Sequence, residues 1–172
     1  RLIEFGDLMT PLVPMGFLLG RIANFINGEL WGKPSEVAWA IIFPRAGDLI
    51  TPRHPSQLYE AALEGLLLLT VMQWRFWRSR DQWHPGRLSG EFLLIYSFSR
   101  ILCEHFREPD ASLILGLSRG TFYTFFLILG GILLIWRSKY LTPPFTPGVI
   151  PVAEPVTTTP SAKSISRNKR KK

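Results

Sequence analysis

Two arginines stand inside apolar stretches, where an unpaired charge is costly. Arg21 lies near the end of a run that begins about residue 8, with Asn24, Asn27 and Glu29 within or just past it. Arg100 lies in a later run, preceded by Tyr96 and followed by Glu104 and Arg107. Glu60 and Glu64 enter a third apolar run from its leading end, behind Arg53. An arginine at the centre of a membrane helix costs about 2.5–3.5 kcal/mol on insertion scales, so a chain that keeps one there sets it against an anion or a carboxylate. Tyr96, Arg100, Glu104 and Arg107 recur at helical spacing and line one stripe. Arg100 and Glu104 can pair along that helix. Such a pair accounts for one arginine but not for the concentration of charge. Phosphate is the ligand that best suits arginines at a lipid interface, because the guanidinium fork matches its oxygens and stays charged when partly desolvated. Phospholipid headgroups supply phosphate at that depth. The residues alone therefore leave two readings open, a phospholipid-handling enzyme and a non-enzymatic phospholipid carrier or transporter.

The elements that must hold these groups are legible in the apolar pattern. The chain has 172 residues, 47% of them hydrophobic. Four apolar blocks, at about 8–25, 58–74, 92–106 and 122–136, approach the ~20 residues that cross a ~30 Å hydrocarbon core. They predict an all-α, polytopic membrane helix bundle of about four transmembrane helices, since each backbone polar group must be satisfied within its own segment. The formal charge of +7 is mostly topological. Arg75, Arg78, Arg80 and Arg87 follow the second block, and Arg137, Lys139 and a basic tail follow the fourth. The positive-inside rule makes both regions cytoplasmic, with 33–57 and 107–119 facing the periplasm or exterior. The first span then runs outward, and Arg21, Glu29, Arg53, Glu60, Glu104 and Arg107 fall in the outer half of the bundle. Residues 1–140 are expected to form this membrane-embedded core. From residue 141 the chain is Pro- and Thr-rich, then basic, and is expected to be a disordered cytoplasmic tail. That tail can act as a topological anchor or bind anionic inner-leaflet lipid. A nucleic-acid role does not fit beside four spans.

Local signals refine this picture. Residues 1–7 read as a short polar lead. Pro11 and Pro14 predict a bend early in the first span, since proline removes an amide donor. Gly28-Glu29 predicts an irregular helix end. Trp31 and Trp39 suit an interfacial belt, and the apolar piece 37–44 reads as an interfacial or re-entrant segment too short to span. Pro55 suits the first turn of the second span, which puts Ser56, Glu60 and Glu64 on one face. The single cysteine, Cys103, excludes an intrachain disulfide. His54, His84 and His105 are scattered, so no metal site and no cofactor are expected. A carrier needs charge continued along its pore to the inner face; the inner stretches 66–70 and 129–134 are almost purely apolar, which favours a one-sided site. A merely structural subunit would leave Arg21 and Arg100 dispensable.

The stretch GRIANFINGELWG at 20–32 resembles the signature of the bacterial prolipoprotein diacylglyceryl transferases, roughly G-R-x-x-N-F-x-N-G-E-x-x-G. Gly20, Arg21, Asn24, Phe25, Asn27, Gly28, Glu29 and Gly32 fill its fixed positions. The string Arg53-His54-Pro55-Ser56-Gln57-Leu58-Tyr59-Glu60 matches a second motif of the family. Arg100, Glu104, Arg107, Pro109 and Asp110 match a third. Family members carry about seven spans, with a histidine–glycine motif in an earlier one, so the chain is expected to be the C-terminal portion of such a protein. The family usually has Gly-Gln and then Ser entering the last span; here Gly120 is followed by Thr121 and Phe122.

The resemblance implies a transferase of the bacterial inner membrane. It would move the diacylglyceryl group of phosphatidylglycerol to the lipobox cysteine thiol of a prolipoprotein signal peptide, leaving a thioether and releasing glycerol phosphate. Arg21 and Arg100, supported by Arg107, would then stabilise the departing phosphate. Glu104 or Glu29 would accept the thiol proton or hold an arginine. Asn24 and Asn27 would bind the glyceryl hydroxyl or the peptide backbone. Gly32, Arg53, His54, Gln57, Tyr59, Glu60 and Tyr96 would complete the substrate-binding set.

Overall fold

A computed structural model describes residues 2–79, 84–108, 116 and 118–140. These are helical apart from turns, extended connections and isolated β-bridges. The first apolar block is two helices, α1 (Leu2–Met9) and α2 (Val13–Asn27), bent by 48° at the break between them. The bend is where the prolines predict it. Its cost is offset from outside, because the Gln73 side chain donates to the Pro11 carbonyl at 3.1 Å. Residues 2–7 are not a polar lead but part of α1, and Asp7 is fully buried. Gly28 ends α2 in the left-handed conformation, φ 64°, and its N–H donates to the Phe25 carbonyl at 3.0 Å. Only a residue without Cβ takes that geometry freely.

The connection 28–55 folds as a cap. Pro34 and Ile41 each bridge Arg53, Gly32 bridges Arg107, and Pro44–Ala46 makes a single 3-10 turn. Phe43 is buried against Phe25 and Trp31. Within the apolar piece 37–44, Phe43 is buried while Trp39 and Ile42 stay exposed. Asp48 closes its tip: the Thr51 hydroxyl and the Ile50 and Thr51 amides donate to the carboxylate and hold it below the usual carboxylate range.

The second block runs continuously through α3 (Ser56–Glu60), a π-helical stretch (Ala61–Leu67) and α4 (Leu68–Arg78). Pro55 sits at the N-cap, one residue before its expected place. π-turns of this kind are frequent at functional sites. Gly65 allows the widened turn to lie on α2, since a Cβ there would stand 2.7 Å from the Leu18 Cα. The third block is α5 (Arg87–Glu104), longer than expected at its start. Asp7 reaches across from α1 to that start and accepts from the Gly86 amide at 2.6 Å, the Ser89 amide at 2.7 Å and the Ser89 hydroxyl at 2.5 Å. The fourth block is α6 (Arg119–Tyr140).

Helices α5 and α6 cross closely at Gly90 and Gly131. A Cβ at Gly90 would lie 2.8 Å from the Gly131 carbonyl oxygen and 2.7 Å from an Ile135 side-chain carbon. Gly90→Val is expected to destabilise the protein by about 1–3 kcal/mol, the usual cost of overpacking. Thermal unfolding in detergent checks this; an unchanged midpoint would show that the crossing is not tight.

Polar and apolar groups are distributed inside out. Ser56, Gln57, Glu60, Glu64, Ser97 and Thr124 are fully or almost fully buried, whereas Phe98, Phe125, Phe126, Leu129 and Leu133 face outward. A small apolar cluster, Leu68, Met72 and Leu88 with Phe92, Ile95 and Tyr96 against it, fills the space below the polar groups. Among the described residues α6 is long and apolar enough to cross a membrane by itself, and α1 with α2 passes as a bent pair. Helix α5 carries Arg87, Glu91, Arg100 and Glu104, which lowers its apolarity. The expected tail 141–172, Arg80, and the Pro109 and Asp110 of the third motif lie outside the described residues.

Candidate functional site

Glu60 and Glu64 are the centre of the site. They lie on α3 and the π-helical stretch, and their side chains are 0% and 1% exposed. Such carboxylates are tolerated in an interior only if cations meet them. Arg21, from α2, places Nε 2.9 Å from Glu60 Oε2 and Nη2 3.2 Å from Glu64 Oε2. Its contact with Glu60 is an ion pair without hydrogen-bond alignment. Arg100, from α5, donates through Nη1 to Glu60 Oε1 at 2.8 Å and to Glu64 Oε1 at 3.5 Å, and through Nη2 to Glu104 Oε2 at 2.7 Å. Arg107, just past α5, donates to Glu60 Oε1 at 3.2 Å.

Three guanidinium groups and three carboxylates thus form one network, and their formal charges cancel. Glu60 meets all three arginines. Its geometry is that of a holder which fixes the guanidinium planes. Arg21 Nη1 and Arg100 Nε donate to no group among the described residues. The arginine side chains are 11–19% exposed, so the network is sealed below and open at one edge. Preset donors of this kind, in a site that excludes most water, can meet negative charge as it develops on an incoming phosphate.

Helix α6 closes one wall. A Cβ at Gly120 would come 2.9 Å from Arg100 Nη2 and 3.1 Å from Glu104 Oε2. The departure from Gly-Gln noted in the sequence therefore leaves the glycine itself in contact with the network. In the sequence it reads as the last residue of a loop, just before the fourth apolar block. Glu64 belongs to the same network and was legible as the deeper of two carboxylates on one face.

The cap packs beside the network. Gly32 lies where three segments meet: its amide donates to the His54 carbonyl at 2.9 Å, and the Lys33 amide donates to the Phe106 carbonyl at 3.0 Å. Arg53 pairs with Glu108 and reaches the Gly32 carbonyl at 3.5 Å, and Trp31 Nε1 donates to the same Glu108 at 3.1 Å. Gln57 Nε2 donates to the Glu29 carbonyl at 2.6 Å, while its Oε1 is buried with no partner. Arg53 and Gln57 thus brace the cap beside the network.

Glu29, Asn24 and Asn27 are not brought into the network. The Glu29 carboxylate is 48% exposed and pairs with Arg45 at the rim, 2.9 Å away. Asn24 contributes its carbonyl to the helix end, accepting from the Glu29 amide at 2.9 Å, and Asn27 faces outward. Tyr96 packs on Phe17 and Phe92 beneath the arginines, with ring centroids 5.2 and 6.2 Å apart.

An apolar cavity of about 540 Å³ adjoins the site, lined by residues including Trp39, His54, Tyr59, Leu102, Cys103 and Phe106. Its mouth is held by a polar relay: Trp39 Nε1 donates to the Tyr59 hydroxyl at 2.6 Å, which lies 3.1 Å from His54 Nδ1. Tyr59→Phe removes both contacts and is expected to cost about 1 kcal/mol, the usual net value of such bonds. The check is the unfolding midpoint of the variant in detergent; no loss would remove the hydroxyl from the cavity wall.

Known proteins are similar to this chain over most of its length. The family model described as prolipoprotein diacylglyceryl transferase matches residues 1–137. Proteins named phosphatidylglycerol–prolipoprotein diacylglyceryl transferase are similar to the chain. That of Zymomonas mobilis is 48% identical over 140 residues, covering 80% of this chain and 48% of the relative. That of Idiomarina loihiensis is 51% identical over 144 residues, covering 82% and 52%. That of Methylococcus capsulatus is 56% identical over 115 residues, covering 66% and 41%. The chain spans about half the length of the curated relatives it matches. With a match that takes in all three charged segments of the network and the cap that covers them, the chain belongs to the prolipoprotein diacylglyceryl transferase family.

Proposed function

We propose that the protein transfers the diacylglyceryl group of phosphatidylglycerol to the lipobox cysteine of a prolipoprotein, with the arginine–carboxylate network as the reaction centre. The observation that carries the reading is the set of arginines pinned in place by Glu60, Glu64 and Glu104 in a chain of this family. In the reaction a glyceryl C–O bond breaks and its electron pair goes to the phosphate oxygen. A C–S bond forms from the thiolate, and glycerol phosphate leaves. Arg21 and Arg100 face the growing negative charge, with Arg107 behind them through Glu60. Because they are already held, they stabilise the transition state more than the ground state. A free thiol has a pKa near 8.5 and attacks as the thiolate. Glu104, next to Arg100 and partly exposed, is better placed than rim-bound Glu29 to take the proton. Asn24, Asn27, Arg53, His54, Gln57 and Tyr59 shape the entrance for the peptide or the glyceryl group. The apolar cavity beside Tyr59 suits an alkyl chain.

The setting of this reading is an inner-membrane bundle of four spans in residues 1–140, with the network in the periplasmic half and 141–172 as a cytoplasmic tail. The inside-out distribution of side chains supports it, since outward phenylalanines and leucines on several helices need an apolar solvent. A carrier reading lacks support of its own: among the described residues an apolar cluster of Leu68, Met72 and Leu88, with Phe92 against it, lies beyond the network.

The test is to incubate the full-length protein with phosphatidylglycerol and a lipobox peptide and to weigh the peptide. A diacylglyceryl mass gain that disappears when the acceptor cysteine becomes serine is the expected result. Lipid binding by folded protein without any mass gain would sink the transferase reading in favour of a carrier.

A further inference from the structure

A second charged cavity lies at the other end of α5. From Arg100 back to Arg87 is thirteen residues, or about 20 Å along a helix. There the first turn of α5 and the last turn of α6 enclose a cavity of about 290 Å³ lined by His84, Arg87, Glu91, Ile135, Ser138 and Lys139. Its one carboxylate is already occupied. Arg75 grips Glu91 through both oxygens, at 2.7 and 2.5 Å, and Arg87 Nε donates to it at 3.1 Å. Arg75, from outside the lining, already balances Glu91, so Arg87 and Lys139 leave the cavity with cationic charge in excess. Around it Trp74, Trp77, Trp136 and Tyr140 face outward. Amphipathic rings of this kind settle at headgroup level in a bilayer. An anionic group at that level would find guanidinium and ammonium donors.

We propose that this cavity binds a phosphate, most naturally the phosphate of an anionic lipid headgroup in the leaflet opposite the reaction site. Arg87 offers the donors not engaged by Glu91, and Lys139 meets the same group from α6. Holding it ties the ends of α5 and α6 together at the interface. The proposal goes beyond the transfer reaction and uses none of the groups assigned to it.

Native mass spectrometry of the full-length protein in detergent tests it, with phosphatidic acid as probe, phosphatidylcholine as the zwitterionic comparison and inorganic phosphate as competitor. Wild-type protein should retain phosphatidic acid over phosphatidylcholine. Arg87→Gln with Lys139→Gln should reduce that retention about thirtyfold, as two interfacial charges at about 1 kcal/mol each require. Arg87→Gln leaves Glu91 gripped by Arg75, and Lys139 is exposed, so neither change strips a buried partner. Lys139→Gln alone should give about a fivefold loss. Arg21→Ala should leave the difference intact, which separates this cavity from the reaction site whether or not transfer is detected. Displacement of the lipid by millimolar inorganic phosphate assigns the cavity to a soluble phosphate source. Equal retention in wild type and in the neutral variants overturns the proposal.

Discussion

Arg100→Ala in the full-length protein should lower turnover by about 10²–10³-fold, the usual effect of deleting one preset donor to a developing anion. Arg21→Ala should fall in the same range. Among the described residues Arg100 alone touches Glu60, Glu64 and Glu104 together, at 2.8, 3.5 and 2.7 Å. Its removal leaves Glu104 without that partner and strips a cation from two buried carboxylates. Breaking a buried pair costs about 3–5 kcal/mol, so the alanine variant should also unfold earlier. Arg100→Lys separates the two effects. Lysine restores the charge but not the planar fork, and one ammonium cannot meet three carboxylates in fixed directions. It should recover most of the stability and little of the turnover. Kinetics on phosphatidylglycerol with a lipobox peptide, together with unfolding midpoints, distinguish these outcomes. Near-normal turnover in both Arg21→Ala and Arg100→Ala would remove the network from the chemistry.

Gly32→Ala should be the most damaging small substitution in the cap. The new methyl would lie 2.6 Å from the Phe106 carbonyl oxygen, 2.7 Å from the His54 carbonyl oxygen and 2.7 Å from the His54 Cβ. Two of these are backbone atoms, so no rotamer change makes room. The clash must open the junction where the Gly32 and Lys33 amides donate to His54 and Phe106. Overpacking costs about 1–3 kcal/mol where the surroundings yield, and here they also carry Arg53, Arg107 and the end of α5. Turnover should therefore fall with stability. Gly16→Ala is the control, because a methyl there meets nothing within 4 Å and alanine favours a helix over glycine. A Gly32→Ala protein that unfolds at the wild-type midpoint would show that the cap can shift without cost.

Much of the architecture follows from local rules, and these could be read directly. The prolines at 11 and 14 announce the bend, Gly28 announces the end of α2, and period-3.6 spacing puts Glu60 with Glu64 and Arg100 with Glu104 on single faces. Those are relations within one helix, governed by backbone geometry and by the residues' own side chains. The three motifs likewise identify the family without coordinates. What spacing does not supply is the rotation and depth of one helix against another. Glu29 and Glu60 both sit at the ends of apolar runs, yet one pairs with Arg45 at the rim and the other meets three arginines in the interior. Asp7 lies only a few residues into the chain but closes the start of α5, about eighty positions away. The piece 37–44 has the hydrophobicity of an interfacial segment; bridging to Arg53 and burial of Phe43 anchor it in the cap, while Trp39 and Ile42 stay exposed. Gly32 and Gly120 carry no chemistry of their own; their importance comes from the atoms that crowd them. The sequence by itself determined the helices, the family and the charged groups available for a site. Which of those groups face one another was decided only by the tertiary packing, because an ion pair depends on distances between segments far apart in the chain.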